Sequence, residues 1–271
     1  GCNTMKSEIQ QNPERLIHGY ASVGFEEVKE EFIKNFTDRG EIGAACCVYY
    51  RGDKVVDLWG GFKAPKSDEL WEENTLVRVY STTKGMSLLV LAKLHSEGLL
   101  DYNEKVNFYW PEFGKNGKET MTVRTLISHQ SGVIFADGAP AGSLWDDYPV
   151  ERALEDATPE WEPGTAGSYH SFTYGPLLHG LIRHVTGRGV GDVWREDIAD
   201  PFGIDYHIGL NDAEAARRAD FVETPGTPSR DGIKGDAESP LTRAWNPMPR
   251  DEDFNSEGWV RGSFASANGH G

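Results

Sequence analysis

The sequence predicts a mixed α/β (α+β) protein, in which an antiparallel sheet is flanked by helices and accompanied by a mostly helical domain. Two apolar runs around a glycine-containing turn at residues 43–61 have the pattern of a β-hairpin. A strongly apolar helix is predicted to begin near Ser81 and to end before Gly98. Further helical patterns follow between residues 123 and 199, so the helical part is expected to lie mainly after the hairpin.

The patterns divide the chain into four segments. Residues 1–22 are polar and are expected to be loosely ordered. Residues 23–98 form part of the α/β domain, with an amphipathic helix before the hairpin and the strongly apolar helix at the end. Residues 99–210 are expected to form a mostly helical domain. Residues 211–271 are interpreted as loop-rich, because Pro, Gly and charged residues are frequent there.

Composition and charge exclude several classes of partner. The 271 residues are 38% hydrophobic and 26% charged, which is ordinary for a soluble globular protein. The formal net charge of −16 disfavours nucleic acid and anionic membrane as partners, and no apolar run reaches the length of a membrane span. A cytoplasmic location is predicted. The start Gly1-Cys2-Asn3-Thr4 leaves a lipoprotein or periplasmic origin open, although a cloning remnant before Met5 is the favoured explanation.

Neither metal nor cofactor chemistry is indicated. Cys46 and Cys47 are adjacent in a predicted strand, where side chains alternate between faces, so they are not expected to form a disulfide. The eight histidines show no metal-ligand spacing, and no dinucleotide-binding fingerprint is present. The sequence therefore predicts no metal and no cofactor.

The candidate catalytic residues lie at the start of the strongly apolar helix. Leu88, Leu89, Val90 and Leu91 are consecutive, so this helix is expected to be buried on nearly all sides. Ser81 and Lys84 are three residues apart and should share a helix face. Because burial favours the neutral form of lysine, Lys84 could take the proton of the Ser81 hydroxyl. About one Ser-x-x-Lys match is expected by chance, so the context of the motif carries the hypothesis.

Several blocks in order resemble the serine β-lactamase-like esterases, the family VIII carboxylesterases, which share a fold with class C β-lactamases and DD-peptidases. The resemblance covers the chain from about Phe25 to its end and keeps the order and spacing of the blocks. The blocks are Tyr80-Ser81-Thr82-Thr83-Lys84, Gly98-Leu99-Leu100-Asp101, Leu126-Ile127-Ser128-His129-Gln130-Ser131-Gly132, Pro163-Gly164-Thr165 before Tyr169-His170-Ser171, Leu181–Gly187, Ala199–Ile204 and Ser266–Gly271.

The resemblance implies a β-lactamase/transpeptidase-like fold and three catalytic residues: Ser81 as nucleophile, with Lys84 and Tyr169 as base and proton relay. A phenol beside Lys84 would be held near deprotonation and could pass the proton to the leaving group. Ser171 matches the third position of the family's Tyr-x-Asn motif and is a candidate substrate-binding residue, although it departs from the common Asn. His129 and His170 adjoin these positions, but a histidine near a turn is more often a structural hydrogen-bonding residue.

The family's third motif, a Lys-Thr-Gly or equivalent on a sheet strand, has no match in this chain. That strand would supply a second oxyanion-hole amide beside the Ser81 main-chain N–H, and it would extend a sheet of which only one hairpin is predicted. A C-terminal sheet portion is therefore expected to be missing. A C-terminal fragment of the same protein, present as a second chain, is therefore one expected partner. Assembly into a homo-oligomer is an alternative that the sequence does not decide.

The predicted function is hydrolysis of short-chain carboxylic esters through an acyl-enzyme on Ser81, with a small-molecule ester as the binding partner. A β-lactamase or D-Ala-D-Ala peptidase with the same residues is the first alternative. A non-catalytic binding protein that retains the fold is the second.

Overall fold

The computed structural model describes residues 7–8, 11–140, 143, 147–222, 238–245 and 255–261. Three strands form one sheet: β1 (Ile17–Ala21), β2 (Gly43–Tyr50) and β3 (Asp53–Gly61). The helices are α1 (Glu26–Asp38), α2 (Thr82–Ser96), α3 (Val106–Tyr109), α4 (Val123–Ile127), α5 (Asp147–Asp156), α6 (Tyr174–Thr186), α7 (Val190–Val193), α8 (Asp200–Phe202), α9 (Asp212–Ala215), α10 (Pro240–Trp245) and α11 (Glu257–Arg261).

Two compact units make up the chain. The first consists of residues 1–77 and 212–224, and the second of residues 78–211 and 225–271. The sequence division instead placed its boundary after residue 98, which put α2 with the sheet. Helix α2 groups with the second unit because its buried side chains Val90, Leu91 and Leu94 belong to the apolar core of the helical elements.

The first unit is built on the predicted hairpin. Strands β2 and β3 pair in antiparallel fashion, and β1 adds to the other side of β3, giving the order β1-β3-β2. The turn residues Arg51 and Gly52 both have positive φ, 51° and 90°, which is the backbone that a tight two-residue hairpin turn requires. Helix α1 contributes Phe36 to an apolar cluster that also contains Leu58 of β3, and both side chains are fully buried.

Strand β1 corrects, for residues 17–21, the expectation that residues 1–22 are loosely ordered, and it adds a third strand to the predicted hairpin. Its main chain pairs with β3 from Ile17 opposite Gly60 to Ala21 opposite Val56. Only Ile17 of this strand is buried, so the strand does not alternate between buried and exposed residues. It is instead held by main-chain pairing, to which every residue except proline can contribute both an N–H and a carbonyl.

The second unit has a core made by helices α2 to α7. Helix α6 is buried along most of its length and ends at Gly187, whose φ of 76° is the left-handed conformation typical of a helix C-terminus. Helix α4 begins after Thr122, whose side chain accepts a hydrogen bond from the Thr125 amide. Helix α7 continues through a π-helical turn at Trp194–Ala199 into α8.

Helix α2 is less enclosed than its run of apolar residues suggests. Its buried stripe contains Thr83, Lys84, Ser87, Val90, Leu91 and Leu94. Leu88 is only partly buried and Leu89 is 46% exposed, so the expectation of burial on nearly all sides is wrong for this face in the described part of the chain. The stripe recurs every three to four residues, as for a helix that packs on one side.

Cys46 and Cys47 are both free, as expected from their opposite orientations on β2. Among the described residues, no helix combines the length and the apolarity needed to cross a bilayer. The terminal blocks 1–6 and 262–271, with the start at Gly1 and the Ser266–Gly271 similarity, lie outside the described residues.

Candidate active site

The candidate nucleophile lies where the chain enters helix α2. Tyr80 has a φ of 49°, so the backbone turns sharply just before Ser81. Ser81 itself is the N-cap residue, with φ −65° and ψ −10°, and its side chain is exposed. This position places the hydroxyl at the positive end of the helix dipole, which favours a developing negative charge on the oxygen.

Lys84 is the buried centre of the site. Its Nζ lies 3.2 Å from Ser81 Oγ and 3.1 Å from the main-chain carbonyl oxygen of Ser171. Only 6% of the residue is exposed, and this burial lowers the pKa of Lys84, although its hydrogen bond to Tyr169 acts in the opposite direction. The structure thus brings together an exposed hydroxyl and a desolvated amine, as the helical spacing predicts.

Tyr169 completes the group. Lys84 Nζ lies 4.8 Å from the centre of the Tyr169 ring. Burial raises the pKa of the phenol, but hydrogen bonds to Ser81 and Lys84 and the charge of Lys84 lower it, and the net shift is downward. The 4.8 Å contact between the Lys84 amine and the Tyr169 ring brings together residues that are 85 positions apart in the sequence.

The three groups differ in their access to solvent. Ser81 and Tyr169 are both exposed, with 54% of Tyr169 accessible, whereas Lys84 is buried. The amine is therefore in an environment that favours its neutral form, while the hydroxyl can be reached from outside. A neutral amine that donates one N–H to the Ser171 carbonyl keeps its lone pair available for the Ser81 proton.

Ser171 enters the site through its main chain. The observed contact is made by its carbonyl oxygen, which accepts the hydrogen bond from Lys84. Its predicted role in binding substrate through the side chain stays a prediction.

Tyr169 is positioned by main-chain pairing between two segments of the second unit. The Ser168 amide donates to the carbonyl oxygen of His129 at 3.1 Å, and the Gly164 amide donates to Gln130 at 3.0 Å. The indole N–H of Trp161 donates to the same Gln130 carbonyl at 3.1 Å. These contacts join the Leu126–Gly132 block to the segment that leads into Tyr169.

Both histidines next to the site make the structural hydrogen bonds expected of them, and His129 also contacts Tyr169. The imidazole of His129 packs 5.0 Å from the Tyr169 ring, and its Nδ1 accepts the main-chain N–H of His170 at 2.9 Å. The sequence signal for the contact between His129 and Tyr169 is the place of His129 in the Leu126–Gly132 block. His170 fits the structural role expected of it: it is fully buried, with Nε2 2.8 Å from Ser131 Oγ.

In the described ranges, no three His, Cys, Asp or Glu side chains are grouped in a way that could hold a metal ion. The polar groups that the fold brings together here are the hydroxyl, amine and phenol described above.

Comparisons with known proteins fit this arrangement. The model of the Beta-lactamase family matches residues 29–259. The chain is 37% identical over 212 residues to the esterase/beta-lactamase LipL of Mycobacterium tuberculosis, covering 78% of this chain and 49% of that protein. It superposes on the crystal structure of a family VIII carboxylesterase with a TM-score of 0.80 and 32% identity, covering 94% of this chain and 67% of that one.

A penicillin-binding protein homologue from Caulobacter crescentus is similarly related, with a TM-score of 0.80 and 35% identity over 92% of this chain and 66% of that one. The chain spans about half the length of the curated relatives it matches, 49% of LipL and 57% of esterase EstB from Burkholderia gladioli.

Proposed function

Because the chain belongs to the Beta-lactamase family and has the predicted β-lactamase/transpeptidase-like fold, we propose that it serves as a serine hydrolase acting on short-chain carboxylic esters. The observation that carries this proposal is the position of the buried Lys84 amine, 3.2 Å from the exposed Ser81 hydroxyl and close to the Tyr169 phenol. The esterase and carboxylesterase names of the relatives support an ester as the substrate class.

The proposed reaction has two steps. Ser81 Oγ attacks the ester carbonyl carbon and forms a new C–O bond, while its proton passes to Lys84 and Tyr169. The bond to the alkoxy group then breaks, and the relayed proton leaves with it as the alcohol. Water next attacks the acyl-enzyme, its proton returns to Ser81 Oγ through the same groups, and the carboxylic acid departs.

Two features of the site support the direction of proton flow. Burial favours the neutral form of Lys84, which can accept a proton, and Lys84 is fixed by the Ser171 carbonyl so that its lone pair remains available. The phenol of Tyr169 has a lowered pKa and is exposed, so it can donate to a departing alkoxide at the mouth of the site. The Ser81 main-chain N–H, at the start of α2, is the candidate donor to the oxyanion.

The test is covalent labelling with a fluorophosphonate, followed by intact mass and peptide mapping. We expect one phosphonyl adduct on Ser81, no adduct in Ser81→Ala, and normal labelling of Ser96→Ala, a control with an exposed serine on the same helix. Well-folded protein that takes no label would contradict the proposal and would favour the non-catalytic binding protein.

A β-lactam substrate is the second candidate, since LipL is described as an esterase/beta-lactamase and another relative as a penicillin-binding protein homologue. Assays of p-nitrophenyl butyrate and nitrocefin with the same preparation separate the two. We expect the ester to be preferred in kcat/KM. A preference for nitrocefin by orders of magnitude would instead assign the site to β-lactam hydrolysis.

A further inference from the structure

His129 has a backbone conformation that side chains rarely adopt. Its φ is 59°, in the left-handed region, and the residue is not a glycine. Such a conformation costs on the order of 1 kcal/mol or more, so surrounding contacts must hold it. The contacts that do so all lead to Tyr169 and its neighbours.

Three interactions of His129 bracket Tyr169 along the chain. The carbonyl oxygen of His129 accepts the Ser168 main-chain N–H at 3.1 Å. Its Nδ1 accepts the His170 main-chain N–H at 2.9 Å. Between these two hydrogen bonds, its ring packs 5.0 Å from the Tyr169 ring. One residue thus holds the backbone on both sides of Tyr169 and contacts its side chain as well.

The two hydrogen bonds and the ring contact between His129 and the Ser168–His170 segment are supported by the buried side chains of Tyr174 and His170. The His129 ring also stacks on Tyr174, with ring centres 4.2 Å apart and nearly parallel planes, and the Tyr174 hydroxyl donates to the Ile127 carbonyl at 2.8 Å. His170 is anchored through Nδ1, 2.6 Å from the Ser168 carbonyl, and through Nε2, close to Ser131 Oγ. The exposed phenol of Tyr169 is therefore attached to a fixed segment of backbone.

We infer that His129 is a positioning residue, whose neutral imidazole holds Tyr169 beside Lys84 and Ser81. A main-chain N–H can only donate, so Nδ1 of His129 must be unprotonated to accept the His170 amide. The ring then carries its proton on Nε2. Removal of the Nδ1 acceptor would free the Ser168–His170 backbone and let the phenol move away from Lys84. The inference deepens the proposed function, since it concerns the same site.

The surroundings keep His129 in that form. The titratable groups around it are Tyr169, His170, Tyr174 and the nearby amine of Lys84. Burial lowers the pKa of His129, and Lys84 lowers it further whenever the amine is protonated, so the neutral ring persists below the usual range of histidine.

The experiment compares His129→Asn with His129→Ala. Asparagine tolerates left-handed backbone and offers an amide oxygen to the His170 N–H, whereas alanine has neither property. Tyrosine labelled with ¹³C at Cζ reports the titration of each phenol, and loss of one signal in Tyr169→Phe assigns it. In the wild type, we expect Tyr169 to titrate below the ordinary value of 10.0.

In His129→Ala, the Tyr169 pKa should rise to about that of a free tyrosine, and Ser81 labelling should slow by about 10- to 100-fold, as for a misplaced catalytic group. In His129→Asn, the Tyr169 pKa and the rate of Ser81 labelling should both be close to those of the wild type. A folded His129→Ala protein with an unchanged Tyr169 pKa would overturn the inference, as would an Asn variant that behaves like Ala. If His129→Ala does not fold, His129→Gly, which fits a φ of 59°, takes its place with the same expectations.

The phenol titration needs no turnover, so the two proposals fail separately. A wild type that takes no fluorophosphonate contradicts the proposed function, while the Tyr169 titration in the variants still decides the role of His129.

Discussion

Ser81 and Lys84 lie one turn apart at the start of helix α2, with Lys84 Nζ 3.2 Å from Ser81 Oγ. Their proximity follows from local helix geometry, but the orientation of the amine does not. It is set by the Ser171 carbonyl, which accepts from Nζ at 3.1 Å and belongs to a segment 87 residues further along the chain. The candidate base is thus fixed from two directions.

Replacement of Lys84 by methionine should abolish the reactivity of Ser81 while the fold is retained. Methionine fills a similar space without a buried charge, so the free energy of unfolding should not fall markedly. We expect the rate of fluorophosphonate labelling to fall by about 10²- to 10⁴-fold, the range for loss of a general base. Lys93→Met is the matched control, since Lys93 lies on the same helix and pairs with Glu97 at the surface. Equal labelling rates in the two variants would contradict the assignment.

Tyr169→Phe should separate proton transfer from packing. The ring remains, and the residue is 54% exposed, so stability should change by no more than about 0.5 kcal/mol. Turnover of p-nitrophenyl butyrate should drop by about 10²- to 10⁴-fold, as for loss of an acid–base group. Tyr20→Phe serves as the control, because the Tyr20 hydroxyl only donates to the Lys54 carbonyl in the first unit. A turnover unchanged in Tyr169→Phe would remove the phenol from the mechanism.

Stability should decrease in acid because of His170. Burial lowers the pKa of this imidazole to about 4, from 6.5. Between these pH values the unfolded chain binds more protons than the folded one, so the free energy of unfolding falls as the pH is lowered. The loss by pH 4 from this group alone is about 3 kcal/mol.

Urea unfolding at several pH values from 7 to 4 measures this change. The His170→Gln variant should be less stable at pH 7 but should show a shallower dependence on pH. Parallel curves for the two proteins would show that another group causes the decrease.

Substitution by alanine should have opposite effects on stability at two glycines that lie in helices. A Cβ at Gly180 of α6 would lie 2.5 Å from the ring of Trp110, which is fully buried and cannot move aside freely. Gly180→Ala should therefore lower the free energy of unfolding by about 1–3 kcal/mol. Gly85 of α2 has open space around it, so Gly85→Ala should raise stability by about 0.5–1 kcal/mol. Thermal unfolding compares them, and equal melting temperatures would contradict the packing at Trp110.

The elements predicted from sequence are those whose stability is encoded locally. The hairpin turn at residues 51–52 and the helix that ends before Gly98 each have a recognisable sequence signal, and each is present. Strand β1 carries none, because it is held by main-chain hydrogen bonds to β3 rather than by alternating side chains. The exposure of Leu89 could not be predicted either, because a run of apolar residues does not indicate which face of the helix is covered.

At the site, the same distinction applies. Ser81 and Lys84 could be paired from helical spacing, and Tyr169 was located through the order of the resembling blocks. The contact from Lys84 to the Ser171 carbonyl could not be predicted, because every residue has a carbonyl and only the fold brings this one to the amine. His129 was expected to be a structural hydrogen-bonding residue, and it is one. Its contact with Tyr169 could not be predicted, because it depends on a left-handed backbone that the residue type does not indicate.

The left-handed residues Tyr80 and His129 bear on how the substrate range could be altered by directed evolution. At both positions the backbone, with φ of 49° and 59°, restricts which amino acids can be accommodated before any side-chain contact is considered. Libraries randomised there would consist mostly of destabilised members, with Gly, Asn and Asp as the tolerated exceptions. Diversity is better introduced at exposed positions with ordinary helical or extended backbone, where selection can act on binding rather than on folding.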